Sequence, residues 1–279
     1  MHAVKSKLIF QQHQFLLLWS VLLLLCVNRA DANERKFSYV YETSVLPPGV
    51  RELEIWNTYR TDRGYFYRRL DQRVEYEFGV AQNLMSAFYL NSSWRMGDSN
   101  GSADSGDAVH SQEVSISSEW KYKIFDRTAD PVGLALYGEA TMGLNEFEIE
   151  GKILLDKQIN DFLFAFNAVA EKEWETELEN GIATTESELT LEFDMGASYQ
   201  VNHSLSVGLE IRSHNLIKEG DWEHSALFAG PVVSFSTETW WAALTVLPQV
   251  TSFKGATQDG LVLDGLEKVE SRLLFTFHL

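Results

Sequence analysis

The sequence predicts an all-β protein: a single antiparallel transmembrane β-barrel of about twelve strands, preceded by an N-terminal signal peptide. Three observations predict it. Apolar and polar residues alternate with a period of two from Arg51 to the end, as in Leu189, Leu191, Phe193, Met195, Ala197 and Tyr199 against Glu188, Thr190, Glu192, Asp194, Gly196, Ser198 and Gln200. Most of these runs reach ten residues, the length a tilted strand needs to cross a bilayer and well above the usual soluble strand. The final stretch, Glu270 to Leu279, puts Leu273, Phe275, Phe277 and Leu279 on one side and Arg272, Leu274, Thr276 and His278 on the other. An unpaired aromatic strand at a chain end is an aggregation hazard in water. It is stable where it closes a barrel and turns its apolar face to lipid.

Taken in order, Lys5 and Lys7 precede the apolar run Phe15 to Val27, and Ala30-Asp31-Ala32 offers an A-x-A cleavage site, so residues 1–32 read as a secretory leader. The run falls short of the ~20 residues of a helical span, and Leu25 before Cys26 is a poor lipoprotein processing signal. Residues 33–50 read as an N-terminal periplasmic segment and 51–279 as the barrel. Strands are expected at 51–60, 66–79, 83–96, 112–125, 132–143, 146–157, 161–173, 187–201, 204–213, 225–236, 239–250 and 268–279. Short turns at 80–82, 126–131, 158–160, 202–203 and 237–238 alternate with longer polar connections at 97–111, 174–186, 214–224 and 251–267. This alternation places the short turns and both termini in the periplasm and the long loops outside. The tight connections at 61–65 and 144–145 depart from it.

Alternation alone also fits a soluble barrel or sandwich with the apolar face turned inward, and size decides between them. Twelve strands with Leu, Phe and Val pointing inward would enclose a large dry void, whereas an inward polar face lets water and ion pairs fill it. Trp94, Trp120, Tyr122, Trp174, Trp222, Trp240 and Trp241 cluster near strand ends, where interfacial girdles sit. Pro231 and Pro248 fall inside expected strands and predict bulges or breaks there. The formal charge is −17, and removing the leader takes away three cations (Lys5, Lys7, Arg29) for one anion (Asp31), so nucleic acid is not an expected partner. The single cysteine, Cys26, lies in the leader, which leaves the mature chain no disulfide or thiolate metal site.

One stretch carries a resemblance. Between Phe37 and Ser93, the Leu46-Pro47-Pro48-Gly49 turn, the Glu52-Leu53-Glu54 strand start, Glu75-Tyr76-Glu77-Phe78-Gly79 and Ala87-Phe88-Tyr89-Leu90-Asn91 resemble the opening of an uncharacterised family of Gram-negative outer-membrane proteins. The resemblance covers about a fifth of the chain. It implies a barrel with no established activity, and it transfers no functional residue.

The inward face is where function is expected. Glu139, Glu146, Glu148, Glu150, Glu171, Glu188, Glu192 and Asp194 make one acidic wall, with Glu173 beside them and Lys152 as the main counter-charge. Arg60, Arg69, Arg73 and Arg272, with Lys121 and Lys123, are mixed with Glu52, Glu54, Glu75, Glu77 and Glu119 on the other wall. A wet lumen of this kind favours small polar or cationic solutes, which predicts a porin-like passive channel. The alternative is a plugged structural or surface-binding barrel whose charges pair across the lumen. The Asp98–Asp104 loop alternates oxygen ligands but lacks the glycine and distal glutamate of a calcium loop, so a surface loop is expected. Ser213, His214, Asn215, Asp221, His224 and Ser225 lie near the outer rim, yet neighbours on a strand face opposite ways, so Ser213 and His214 make no nucleophile and base. No enzyme, cofactor or metal is expected, and His203 and His278 read as hydrogen-bonded residues near the periplasmic end. The expected setting is the outer membrane of a Gram-negative bacterium, with lipid around the barrel and the assembly machinery reading its terminal strand.

Overall fold

The computed structural model describes residues 34–98, 108–179 and 182–279; the leader lies outside them. Twelve strands form: β1 (Arg51–Thr61), β2 (Tyr67–Ala81), β3 (Leu84–Asp98), β4 (Ala108–Phe125), β5 (Gly133–Met142), β6 (Glu146–Ile159), β7 (Phe162–Glu179), β8 (Ile182–Gln200), β9 (Leu205–Lys218), β10 (Asp221–Ser236), β11 (Trp240–Lys254) and β12 (Val269–His278). Each pairs antiparallel with the next, and β12 pairs with β1 to close the barrel. At the seam Leu53 lies opposite Phe277 and Ile55 opposite Phe275, and the Leu279 N–H donates to the Arg51 carbonyl at 3.0 Å. The terminal aromatic strand therefore has no open edge.

Period-two residues point outward as expected: Phe88 (54 % exposed), Ile116, Ile149, Ile153, Phe193, Met195, Leu209 and Leu244 form an apolar belt around the wall. Trp241 is the exception among the expected girdle residues. It is 1 % exposed and points into the lumen, because its neighbour Trp240 takes the outward place and stacks on Phe275. Pro231 and Pro248 mark a gap in the β10–β11 ladder: pairing stops after Phe228–Gln249 and resumes at Val232–Thr245. A proline donates no N–H to a ladder, and Gly230 is placed so that a Cβ would meet the Val246 carbonyl oxygen at 1.8 Å. Bulges do occur nearby, at Ser225/Ala226 and Leu227/Phe228.

Two expected long loops are strands. β7 and β8 run on through most of 174–186, and β9 and β10 meet at Glu219-Gly220, whose φ values of 52° and 91° suit a tight primed hairpin. Period-two patterning fails there because a strand projecting beyond the lipid meets water on both faces, as at the neighbouring exposed residues Glu175 and Thr176. The connection after β11 is a true loop over 255–268; residues 99–107, including most of the Asp98–Asp104 stretch, lie outside the described residues.

The main correction concerns residues 33–50. From Glu34 to Leu46 the chain does not trail free as a periplasmic segment; it lies inside the barrel. Its contacts prove the position: Arg35 meets Glu54 on β1, Ser38 meets Thr245 on β11 and Tyr41 meets Asn167 on β7, walls that only an occupant of the lumen touches together. Phe37, Val40 and Leu46 are fully buried there. An apolar and aromatic segment has more to gain in a barrel interior than in water. It leaves at the end of the barrel where β1 begins and β12 finishes, through Pro47-Pro48-Gly49, where Gly49 takes a φ of 86° and the Gly49 N–H bonds the Gly79 carbonyl at 3.3 Å.

Candidate functional site in the barrel lumen

The lumen has a filled half and a hollow half. In the filled half, near the termini, wall side chains capture the backbone of the inserted segment. The Glu210 carboxylate accepts from the N–H groups of Ser38, Tyr39 and Val40 at 3.3, 2.8 and 2.8 Å. Asn167 accepts from Tyr41 N–H at 2.6 Å and returns a bond to the Tyr41 carbonyl at 2.9 Å, and Asp156 accepts from Thr43 N–H at 3.0 Å. A segment without helix or sheet of its own thus has its buried donors met by the wall. Apolar packing adds to this: Tyr41 sits among Trp56, Tyr137, Leu154, Trp241 and Leu274, and Phe37 against Leu163, Ala165 and Val232. Gly196 makes room for the Phe37 ring, which would lie 2.6 Å from a Cβ there.

A second occupant comes from the loop end. The loop after β11 folds inward so that Val262 and Leu266 join Tyr39, Phe228 and Leu247, and the Gln249 amide donates to the Val262 carbonyl at 3.1 Å while accepting from its N–H at 2.6 Å.

Above Tyr39, Tyr41 and Trp56 lies a cavity of ≈ 770 Å³ in the loop-end half. Of the residues expected on the inward face, Glu139, Glu146, Glu148, Glu150, Glu171, Glu188, Glu192, Asp194, Arg60, Arg69, Arg73 and Arg272 line it, whereas Glu52, Glu54, Glu75, Glu77, Glu119, Lys121 and Lys123 do not. The strand register sets like charges directly opposite each other, Glu139–Glu150–Glu171 in one row and Glu148–Glu173–Glu188 in the next. Such rows destabilise a sheet unless relieved. Arg73 reaches Glu139 at 3.3 Å, Lys152 reaches Glu150 at 2.9 Å and Lys218 reaches Glu188 at 3.1 Å. Glu148, Glu171 and Glu173 have no salt bridge among the described residues, and each offers a carboxylate oxygen within 4.8 Å of the others. This is the least compensated part of the wall, and it is the part best able to attract a small cation.

The opposite wall is paired. Asp71 holds Arg69 at 2.5 Å and Arg60 at 3.5 Å, while Arg212 binds Glu192 and, at 2.9 Å, Glu270. Arg272 donates to Thr58 Oγ1 at 2.9 Å and to the Ser38 carbonyl at 3.3 Å, and its guanidinium lies 3.9 Å from the Tyr39 ring centre. The field across the cavity therefore runs from paired arginines to bare glutamates.

The sequence did not reveal the floor, Tyr39, Tyr41 and Trp56, or the partner Arg212, and it offered His214 and His224 only as members of a Ser/His pair at the rim, not as lumen-lining residues. The floor had a signal: Phe37, Tyr39, Val40, Tyr41, Val45 and Leu46 make the segment before β1 too apolar for a free periplasmic tether. His214 and His224 stack with ring centres 5.3 Å apart inside the cavity, whereas Ser213, on the other face, is bonded by the Asn215 amide at 3.2 Å. No Ser–His pair is built here.

The model of a family of unknown function, DUF6662, matches residues 29–279. The chain belongs to that family. A search of curated proteins found no match. Among solved structures, the COG4313 outer membrane channel from Pseudomonas putida F1 is similar over 87 % of this chain and 100 % of its own, at 10 % identity and a TM-score of 0.58. The β domain of the Bordetella autotransporter BrkA covers 83 % of this chain and 100 % of its own at 8 % identity and 0.52, and the NanC porin 81 % and 100 % at 13 % identity and 0.50. At these identities the likeness is one of fold. This DUF6662 chain has the closed antiparallel barrel fold of outer-membrane proteins.

Proposed function

We propose that this barrel is closed at rest by its own residues 34–46 and presents an acidic cup to the exterior that receives small cationic or zwitterionic solutes. The observation that carries the reading is the capture of three successive backbone N–H groups by Glu210 in the filled half of the lumen. A segment held in this way, and packed by Phe37 and Tyr41, leaves no wide wet path through the filled half. Twelve antiparallel strands bring the start of β1 and the end of β12 to one side; with that side in the periplasm, as in other barrels of this kind, the cup faces outward. Catalysis forms no part of this reading.

A porin-like reading keeps one observation in its favour. The wall stays charged and polar through the cup, and the segment is attached by hydrogen bonds that exchange with water once it leaves, so passage of polar or cationic solutes follows if residues 34–46 withdraw. Single-channel recording of the folded mature chain in a planar bilayer separates the two. The closed reading expects silence from the intact chain and cation-preferring steps once residues 34–46 are deleted. Steady conductance from the intact chain would overturn it in favour of the porin-like one.

A further inference from the structure

At the foot of the barrel β1 and β2 place glutamates face to face: Glu54 opposite Glu75, with Glu77 next on the same side of β2. Each offers a carboxylate oxygen within 4.8 Å of the other two, at exposures of 1, 1 and 7 %. Like charges opposed across a ladder and removed from water are costly without compensation. Glu54 is served, by Thr276 Oγ1 at 2.6 Å and Arg35 at 3.5 Å. Neither oxygen of Glu75 has a hydrogen-bond partner.

A separate side chain points to the same space. Glu119 on β4 is 1 % exposed with both carboxylate oxygens unpartnered. In the register only Ala87 stands between Glu77 and Glu119, and Glu75 and Glu77 both feel the charge of Glu119. Arg35 lies against Glu54, and Glu119 feels Lys121, two residues along, as well as Lys152 and Arg73, which are engaged with Glu150 and Glu139. Within the opposed group, three carboxylates and one ion-paired cation would carry a surplus of two negative charges when ionised, which one divalent ion matches.

We propose that Glu54, Glu75 and Glu77, with Glu119 beside them, bind a divalent cation, and that the cation is calcium. All donors are carboxylate oxygens, which select hard ions over zinc or copper, and calcium accepts several carboxylates in irregular geometry where magnesium demands an octahedron and keeps its water. The bound ion would tie β1 to β2 beside the docking point of Arg35. The site is separate from the acidic cup, and the proposal does not depend on whether the barrel conducts.

The test uses the full mature chain folded in detergent at neutral pH after chelation, with calcium chloride as the probe. Calorimetric titration is expected to give one calcium per chain, and thermal unfolding a saturable upward shift in midpoint that follows ligand mass action. Glu75→Gln and Glu77→Gln, which keep side-chain volume and remove one of the opposed charges, are expected to fold and to lose both signals. Glu171→Gln, in the cup, is expected to keep them. Three results would overturn the proposal: no calcium-dependent shift, a shift that survives Glu75→Gln, or a shift abolished by Glu171→Gln alone. Stabilisation on acidification without any response to calcium would likewise sink it, because protons would then be neutralising the cluster.

Discussion

Single residues decide how firmly the lumen is closed. Glu210 is the clearest case, because one carboxylate serves three backbone N–H groups and also Thr245 Oγ1 at 2.5 Å. Glu210→Ala leaves those donors without acceptors, at a cost of about 1–3 kcal/mol for each that water does not reach. The expected outcome is faster proteolysis near Phe37–Tyr41 in the folded barrel and the appearance of conductance steps, with a smaller effect from Glu210→Gln, which keeps one acceptor. An unchanged cleavage rate would mean that apolar packing alone holds the segment. Outside the membrane, Asp126 shapes the β4–β5 turn. Its carboxylate accepts from Thr128 Oγ1 at 2.6 Å, Thr128 N–H at 2.9 Å and Ala129 N–H at 3.3 Å, and these bonds, the Thr128 hydroxyl first, hold it below the usual carboxylate range. A lowered folded pKa gives stability that is present above about pH 4 and is lost as the pH falls through the folded value. Denaturant unfolding followed from about pH 5 to pH 2 should therefore fall more steeply in the wild type than in Asp126→Asn. Equal slopes would show that the turn contributes nothing to acid sensitivity.

At the scale of elements, the face each strand turns to lipid was legible and its full length was not. Val207 on β9 is exposed on the outer surface, and Thr190 on β8 lines the cavity. Val207→Arg should destabilise the barrel by ~2–4 kcal/mol if it sits near the midplane, and Thr190→Arg by much less, in refolding titrations into lipid. Comparable losses at both sites would invert the face assignment. Residues 174–186 and 214–224 looked like loops because period-two patterning depends on one face meeting lipid, and the projecting parts of β7 to β10 have water on both sides. Pro231 and Pro248 were legible as a disturbance. Their placement in one shared gap between β10 and β11 needed the pairing partners, which lie about as far apart in sequence as the hairpin is long.

At the scale of the molecule, closure at the β12–β1 seam holds the ladder together. Phe275 pairs with Ile55 on one side and Ala242 on the other. Phe275→Pro removes a ladder N–H at the centre of that strand, and the variant should lose the fast-migrating unheated band that a closed barrel gives in detergent electrophoresis. A retained fast band would mean that closure tolerates the break. The cup was legible because its residues obey a local rule: every second residue of a strand shares a face, so Glu148, Glu150, Glu171 and Glu192 could be assigned inward without knowing their neighbours. By itself, then, the sequence determined the barrel, its strand number, its lipid face and its charged interior, all consequences of side-chain periodicity along single strands. Only the tertiary structure decided what fills that interior. Residues 34–46 have no periodic signal, and their place depends on Glu210, Asn167, Asp156 and Glu54, which are spread along the chain from β1 to β9 and meet only when the barrel closes around them.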